Sequence, residues 1–320
     1  MQSTRIKYMF IAAALMTAGT GSAYGQSFPG KPIRIITTQP GGPNDLAARV
    51  IAQGLTGSIG QQVIVDNRGG GLIATDAAAK SPADGYTLLF NGSIVWLLPF
   101  MRDNTPWDMN KNFAAVAEAV RAPSVLVVHP SLPVKSVKEL VALAKARPGQ
   151  LDYASAVAGS ANHLTAELFK AMAGVQIMHV PYKGGDQALT ALIGGESQMM
   201  FGLADAVMMH VSTGKLRALG VTSAEPSALF PGVPPISATV PGYESVSMFG
   251  LLAPAGTPPA IVSQLNREVV RVLTRPENKE RFLKAGMEVV GGTPEQFASA
   301  IKSEMSALGK VIKDAGIRAE

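Results

Sequence analysis

The chain has 320 residues, of which 47% are hydrophobic and 16% charged, with 33 Gly, 22 Pro and no Cys. That composition excludes a disordered chain, a coiled coil, a disulfide scaffold, thiolate metal sites and any cysteine nucleophile. The formal net charge of +5 is mild and no basic run reads as a nucleic-acid footprint, while four scattered histidines (His129, His163, His179, His210) argue against a His-built metal site.

Arg5 and Lys7 precede an apolar run at 9–18, and small residues lead to Ala23-Tyr24-Gly25. A basic start, a short apolar stretch and a small-x-small end predict a secretory signal over residues 1–25, cleaved near Gly25. Losing Arg5 and Lys7 leaves a formal charge of +3. No later segment offers 18 uninterrupted apolar residues, so a soluble periplasmic protein is expected.

From residue 31 strands and helices alternate. A β-branched strand is expected at 32–38, then a Gly-Gly-Pro turn into a helix at 44–56, a strand at 62–67, a helix at 73–80 and a strand at 86–91. A second series opens with a strand at 124–129. Ser136 caps a helix that runs to 147 and is stopped by Pro148-Gly149. Strand 151–156, helix 160–173 and strand 177–182 follow, and the alternation continues through 187–193, 198–203, 204–213 and 216–222. The tail holds a strand at 249–254 and helices at 258–274, 277–285 and 294–315. Such alternation predicts parallel sheets covered on both faces, and the length suggests two of them. The stretches 124–133 and 248–258 look alike, each an apolar strand followed by a proline turn. They are read as the two passages between lobes: one lobe of residues 26–124 plus 249–320, the other of residues 125–248, with a cleft that closes by hinge motion.

Two loops carry the candidate chemistry. Residues 37–45 (TTQPGGPND) run from a strand end through paired glycines into a helix, whose first-turn N–H groups and dipole suit an anion. Asp45 is spaced to bond back to a backbone N–H near Gly42. Residues 155–163 (SAVAGSANH) repeat the logic, with Ser160 as the expected cap and His163 three residues on. There is no GxGxxG, no GxxxxGK[ST] and no GxSxG elbow, so nucleotide binding and serine hydrolysis are not supported. Arg68-Gly69-Gly70-Gly71 reads as a turn before a helix. The acids of the C-terminal helices (Glu268, Glu277, Glu280, Glu295, Glu304) alternate with Lys and Arg and read as a solvated face.

The strings KPIRII (31–36), PGGPNDLAAR (40–49), HPSLPVKSVKEL (129–140), GSANHLTAELFKAMAG (159–174), HVPYKGG (179–185) and FGLLAPAGTPPAIV (249–262) run in order along nearly the whole chain. In them the sequence resembles the Bug receptors, the substrate-binding proteins of tripartite tricarboxylate transporters. The resemblance implies an α/β type II periplasmic-binding-protein fold, two α/β domains with a ligand cleft between them. It implies a monomer that captures a small carboxylate-bearing organic anion and hands it to membrane permease subunits, with no cofactor, no metal and no catalytic residue. Carried onto this chain, the carboxylate is held partly through bridging waters by Thr38, Gly41, Gly42 and Asp45 on one loop. Ser155, Gly159, Ser160 and His163 act on the other. Tyr182, Lys183 and the segment from Phe201 to Asp205 line the variable part of the pocket. The acid usual in the family after that phenylalanine is Gly202 here, which tilts the expectation toward a ligand without an amino group. Two alternatives stand beside this reading: a ligand-loaded sensor partner of a membrane receptor kinase, and a periplasmic enzyme for which His163 and Asp205 are the candidates.

Overall fold

The computed structural model describes residues 28–319; the expected secretory signal, residues 1–25, lies outside the described residues. The β-branched run IRIIT forms β1 (Ile33–Thr37), buried at every position except Arg34. α1 (Pro43–Ile59) opens on Pro43, where a missing N–H costs nothing, and closes on Gly60 in the left-handed region. β2 (Val63–Asn67), α2 (Gly71–Ala79) and β3 (Thr87–Gly92) follow within two residues of the expected bounds. β1 pairs in parallel with both β2 and β3.

The next stretch departs from expectation. α3 (Ile94–Met101) is an apolar helix containing Pro99, and α4 (Met109–Asn112) is a single turn. β4 (Phe113–Val128) then spans 16 residues where a strand was expected only from 124. Its first half, FAAVAEAVRAP, is rich in Ala, carries Glu118 and Arg121 and ends in Pro123, all of which are poor strand signals.

Beyond it the expected order returns: α5 (Val137–Ala146), whose N-terminus Ser136 Oγ caps by accepting from Glu139 N–H (3.2 Å), β5 (Asp152–Ser155), α6 (Ala161–Ala173) and β6 (Met178–Pro181). α7 (Gly185–Ile193), β7 (Met199–Leu203), α8 (Ala204–Ser212) and β8 (Arg217–Val221) continue it. β9 (Val246–Pro254), α9 (Pro259–Leu273), α10 (Pro276–Lys284), the unexpected β10 (Glu288–Gly291) and α11 (Pro294–Asp314) complete the chain.

The expectation of two parallel sheets is corrected to one mixed sheet of ten strands, ordered β2-β1-β3-β9-β4-β7-β5-β6, with β8 and β10 also bonded to β4. Pairs β1–β2, β1–β3, β5–β6 and β5–β7 are parallel. Every pair made by β4 or β9 is antiparallel. Local alternation reports only the parallel βαβ units; the direction in which β9 returns from distant sequence is not encoded in its neighbours. β4 joins the two halves of the sheet. Phe113 to Pro123 pair with β9, and Ser124 to Val128 pair with β7. The change of partner falls at Pro123, which has no N–H for a ladder. The largest apolar cluster gathers Trp96, Tyr153, Phe169, Phe201 and Phe297, and a smaller one lies between β4, β7, α7 and α8.

Candidate functional site

The C-terminal ends of β1 and β5 each feed a tight turn and then a helix, the places where open α/β sheets present ligands to backbone donors. After β1, Gly41 adopts φ +87°, and its N–H donates to Asp45 Oδ2 (3.1 Å). Asp45 also accepts from Arg49 Nε (3.0 Å) and from Asn67 Nδ2 (2.8 Å). Burial pushes the Asp45 carboxyl up, but the hydrogen bonds from Arg49, Asn67 and Gly41 outweigh it and hold it at about 2. Gly42 occupies the N-cap of α1, and no side chain caps that end. Asn44 Nδ2 donates to Thr38 Oγ1 (3.2 Å) and lies 3.4 Å from Asn91 Oδ1, while Asn44 Oδ1 is buried without a hydrogen-bond partner.

After β5 the same turn is built with different chemistry. Gly159 adopts φ +79° and its N–H donates to His163 Nδ1 (3.0 Å), which puts the ring proton of neutral His163 on Nε2. His163 stacks on His179 with ring centroids 4.0 Å apart, and His179 stacks on Tyr153 at 4.9 Å. His179 Nε2 lies 2.6 Å from Ser155 Oγ; because that hydroxyl donates to Ala156 O (2.8 Å), the imidazole is the donor. Below the stack, Glu167 accepts from Tyr153 Oη (2.6 Å) and Lys170 Nζ (2.5 Å). Burial, with His179 and Lys170 adding to it against the pull of Glu167, lowers His163 to about 4; burial lowers His179 as well.

Ser160 stands at the N-cap of α6 but makes no side-chain cap, which corrects the expectation. Its hydroxyl turns to Asn162 Oδ1 (2.7 Å), and that oxygen also accepts from the backbone N–H of His163 (3.1 Å) and Ala156 (3.4 Å). Asn162 therefore ties the turn together in place of the serine.

A cavity of about 210 Å³ opens between the two helix starts. Its polar lining comes from Asn44, Asn91, Ser93, Thr165, Ser245, Ser247 and Glu304, and its apolar lining from residues such as Leu97, Leu164 and Phe249. Among the sequence-predicted residues only Gly159 lines it. Thr38, Gly41, Gly42 and Asp45 build the turn that presents Asn44. Ser155 is fully buried, and His163 faces a separate pocket of about 420 Å³ with Glu167, Lys170, His179 and Arg318. Tyr182 is half-buried and its N–H donates to Ser155 O (2.9 Å), whereas Lys183 is exposed. Phe201 packs in the core against Phe169, and Asp205 is exposed, with its carboxylate accepting from Ala206 N–H (2.9 Å). Gly202 has a packing reason: a Cβ there would lie 2.3 Å from Val207 Cγ1, so the acid expected by resemblance has no room.

Glu304 corrects the expectation of a solvated acidic face. Its Oε1 accepts from Ser93 Oγ (3.0 Å) and its Oε2 from Trp96 Nε1 (2.5 Å). Burial, reinforced by Glu118, pushes the carboxyl up to about 7 against the opposing bonds from Trp96 and Ser93 and the charge of Arg121. A signal for this was present in the sequence. Buried Phe297, Ile301 and Leu308 define the inner stripe of α11, and Glu304 falls on its phase. Asn91 and Ser93 left a fainter trace, as polar residues at the end of an otherwise apolar strand.

Among the described residues no group of three or more His, Cys, Asp or Glu is placed to hold a metal ion, and no helix is long and apolar enough to cross a membrane. The family model described as tripartite tricarboxylate transporter family receptor matches residues 47–317. Protein BugT of Bordetella pertussis is 36% identical over 316 residues, covering 97% of this chain and 96% of that protein. The solved structure of R. palustris Rpa4515 with adipate is 35% identical, covers 91% of this chain and 99% of its own, and aligns with a TM-score of 0.71. A TctC solute-binding protein from Polaromonas, solved with no ligand, is 25% identical, covers 90% and 100%, and aligns with a TM-score of 0.83.

Proposed function

Because the chain belongs to the tripartite tricarboxylate transporter receptor family, a family of solute-binding proteins and not of enzymes, we propose that it captures a small organic carboxylate in the cavity between the starts of α1 and α6. In this reading it works in the periplasm, where the secretory pattern of residues 1–25 would send it, and delivers the ligand to membrane permease subunits.

The observation that carries the reading is the convergence of two helix N-termini, neither capped by a side chain, on one cavity. No Lys or Arg is among the residues lining it, so an anion there is met by N–H groups, hydroxyls and amides rather than by a counter-ion. The buried, unpartnered Asn44 Oδ1 accepts from a bridging water that in turn donates to the ligand. Adipate in the R. palustris relative supports a carboxylate ligand. The better alignment with the ligand-free Polaromonas protein, despite its lower identity, supports an open form that closes on binding. The lobes would be residues 26–124 plus 249–320 and residues 125–248, the first passage between them lying where β4 changes partner at Pro123.

A thermal-shift screen of the protein starting at Gln26 tests this, against adipate, succinate, citrate, aromatic acids and amino acids. A ligand at a hundredfold excess over its dissociation constant adds roughly 2.7 kcal/mol to stability, a clear rise in melting temperature. A rise with carboxylates supports the reading. Stabilisation by amino acids alone would sink the expectation of a ligand without an amino group, and silence from every acid would sink the carboxylate reading.

A further inference from the structure

We propose that Glu304 makes ligand capture proton-coupled: an anion entering the cavity is bound together with one proton taken from solvent onto the Glu304 carboxylate. The inference rests on the carboxylate reading above and adds a chemical condition to it.

Glu304 is the one titratable side chain among the residues lining the cavity, and no cation lines the cavity beside it. Its carboxylate is fixed by two neutral donors, Ser93 Oγ and Trp96 Nε1. On its other side Glu304 lines an adjoining pocket of about 360 Å³ with Arg121 of β4 and Glu244 just before β9, and the charges of Glu118 and Arg121 act on it in opposite directions. Arg121 is already held by Glu118, one bond of that fork being 3.1 Å, and by Glu244 at 3.4 Å. From the helices packed around α11, α3 contributes Leu97 and Met101 to the cavity wall, with Ser93 just before its first residue, and α6 contributes Leu164 and Thr165, none of them titratable in this range.

A carboxylate ligand and an ionised Glu304 therefore have to share a small, mostly apolar cavity without a counter-ion between them. Like charges so placed do not both stay ionised; one of them takes up a proton. The ligand's carboxylate is stabilised by the helix starts, so the proton goes to Glu304. Burial has already raised that carboxyl to about 7 in the free protein, so little further push is needed. Protonated, Glu304 becomes a donor that a ligand oxygen can accept, which turns a repulsive wall into a recognising one. An ionised Glu304 would instead select a ligand carrying an ammonium group, and the two possibilities separate cleanly.

The experiment is calorimetric titration with adipate at pH 8 in phosphate and in Tris, whose heats of ionisation differ, using the whole mature chain. The expected result is uptake of most of one proton per adipate bound, with affinity falling several-fold from pH 7 to pH 8.5, a range in which adipate itself stays a dianion. Glu304→Gln binds adipate with no proton uptake and a flat pH profile. The Trp96 indole resonance gives a second readout: it titrates near pH 7 in the free protein, moves to higher pH with adipate, and is silent in Glu304→Gln. Adipate binding without proton uptake, or an indole that does not titrate between pH 5.5 and 8.5, overturns the inference alone. Loss of all binding in Glu304→Gln, with only amino acids bound by the parent, overturns it in favour of the ammonium pairing. If adipate, succinate and citrate all fail to bind, the carboxylate reading falls first and takes the inference with it.

Discussion

At Gly41 and at Gly159 the chain makes the same turn, with a positive φ and an N–H that donates to the side chain four residues on. In the first loop the acceptor is the Asp45 carboxylate, backed by Arg49 and Asn67. In the second it is a neutral imidazole, held in a stack of His163, His179 and Tyr153. One loop is fixed by a charge that must stay ionised and the other by a ring that must stay neutral. The two devices reach one geometry and are both undone by protonation, but at different depths of acid: His163, lowered to about 4, gives way before Asp45, held at about 2.

The sharpest way to break the parallel is Asp45→Ala, which removes one acceptor from three donors at once. A cost of about 3 kcal/mol is expected in urea unfolding, because the Gly41 and Asn67 N–H groups lose a charged partner in a covered site. A loss below 1 kcal/mol would mean that the first loop does not depend on its charge.

The second test is pH. His163 falls to about 4 in the folded chain, so between pH 6.5 and 4 the unfolded chain binds a proton that the folded one refuses. Its contribution is complete above pH 6.5 and is lost as pH falls, by up to about 3 kcal/mol. Glu304 runs the other way. Its carboxyl is raised to about 7, so its contribution is complete below pH 4.5 and is lost as pH rises through 7. Melting curves between pH 4.5 and 6.5 should therefore climb more steeply with pH in Glu304→Gln than in the parent, and less steeply in His163→Gln. Identical slopes in all three would refute both assignments.

Third, alanine at the two glycines compares the space around the turns. Gly41→Ala meets no atom within 4 Å and should cost only the strain of a positive φ, about 1 kcal/mol. Gly159→Ala adds a Cβ that would lie 2.9 Å from Met101 Sδ, and about 2 kcal/mol is expected. The smallest effect belongs to Ser160→Ala, about 0.5 kcal/mol or less, since its hydroxyl caps no backbone group; a loss of a full kilocalorie would restore it as a cap.

These tests divide along the line between what was legible in the sequence and what was not. The Gly41–Asp45 bond could be anticipated because its partners sit four residues apart in a glycine turn that enters a helix, and the parallel βαβ units could be read for the same local reason. Ser160 misled because capping statistics say nothing about a competing acceptor two residues away, Asn162 Oδ1. Glu304 escaped because Trp96 and Ser93, the groups that enclose it, lie 208 and 211 residues away in the chain. The first half of β4 escaped because AAVAEAVRA has no strand-like composition; it is a strand because β9 on one side and β10 on the other supply its hydrogen bonds. Gly202 shows the reverse case, in which a missing acid suggested ligand chemistry and the structure supplies a steric cause in Val207.

The 16-residue strand β4 has a consequence for how the molecule comes apart. It bonds directly to β7, β8, β9 and β10. Cutting out residues 125–248 would split β4 at its change of partner: residues 113–124 would keep β10 and most of β9, the excised residues 125–128 would keep β7 and β8, and only the unbroken strand that links the two sets of ladders would be lost. Because a single strand carries the ladders of both halves, the fold should melt as one cooperative unit, with a calorimetric enthalpy equal to the van't Hoff value.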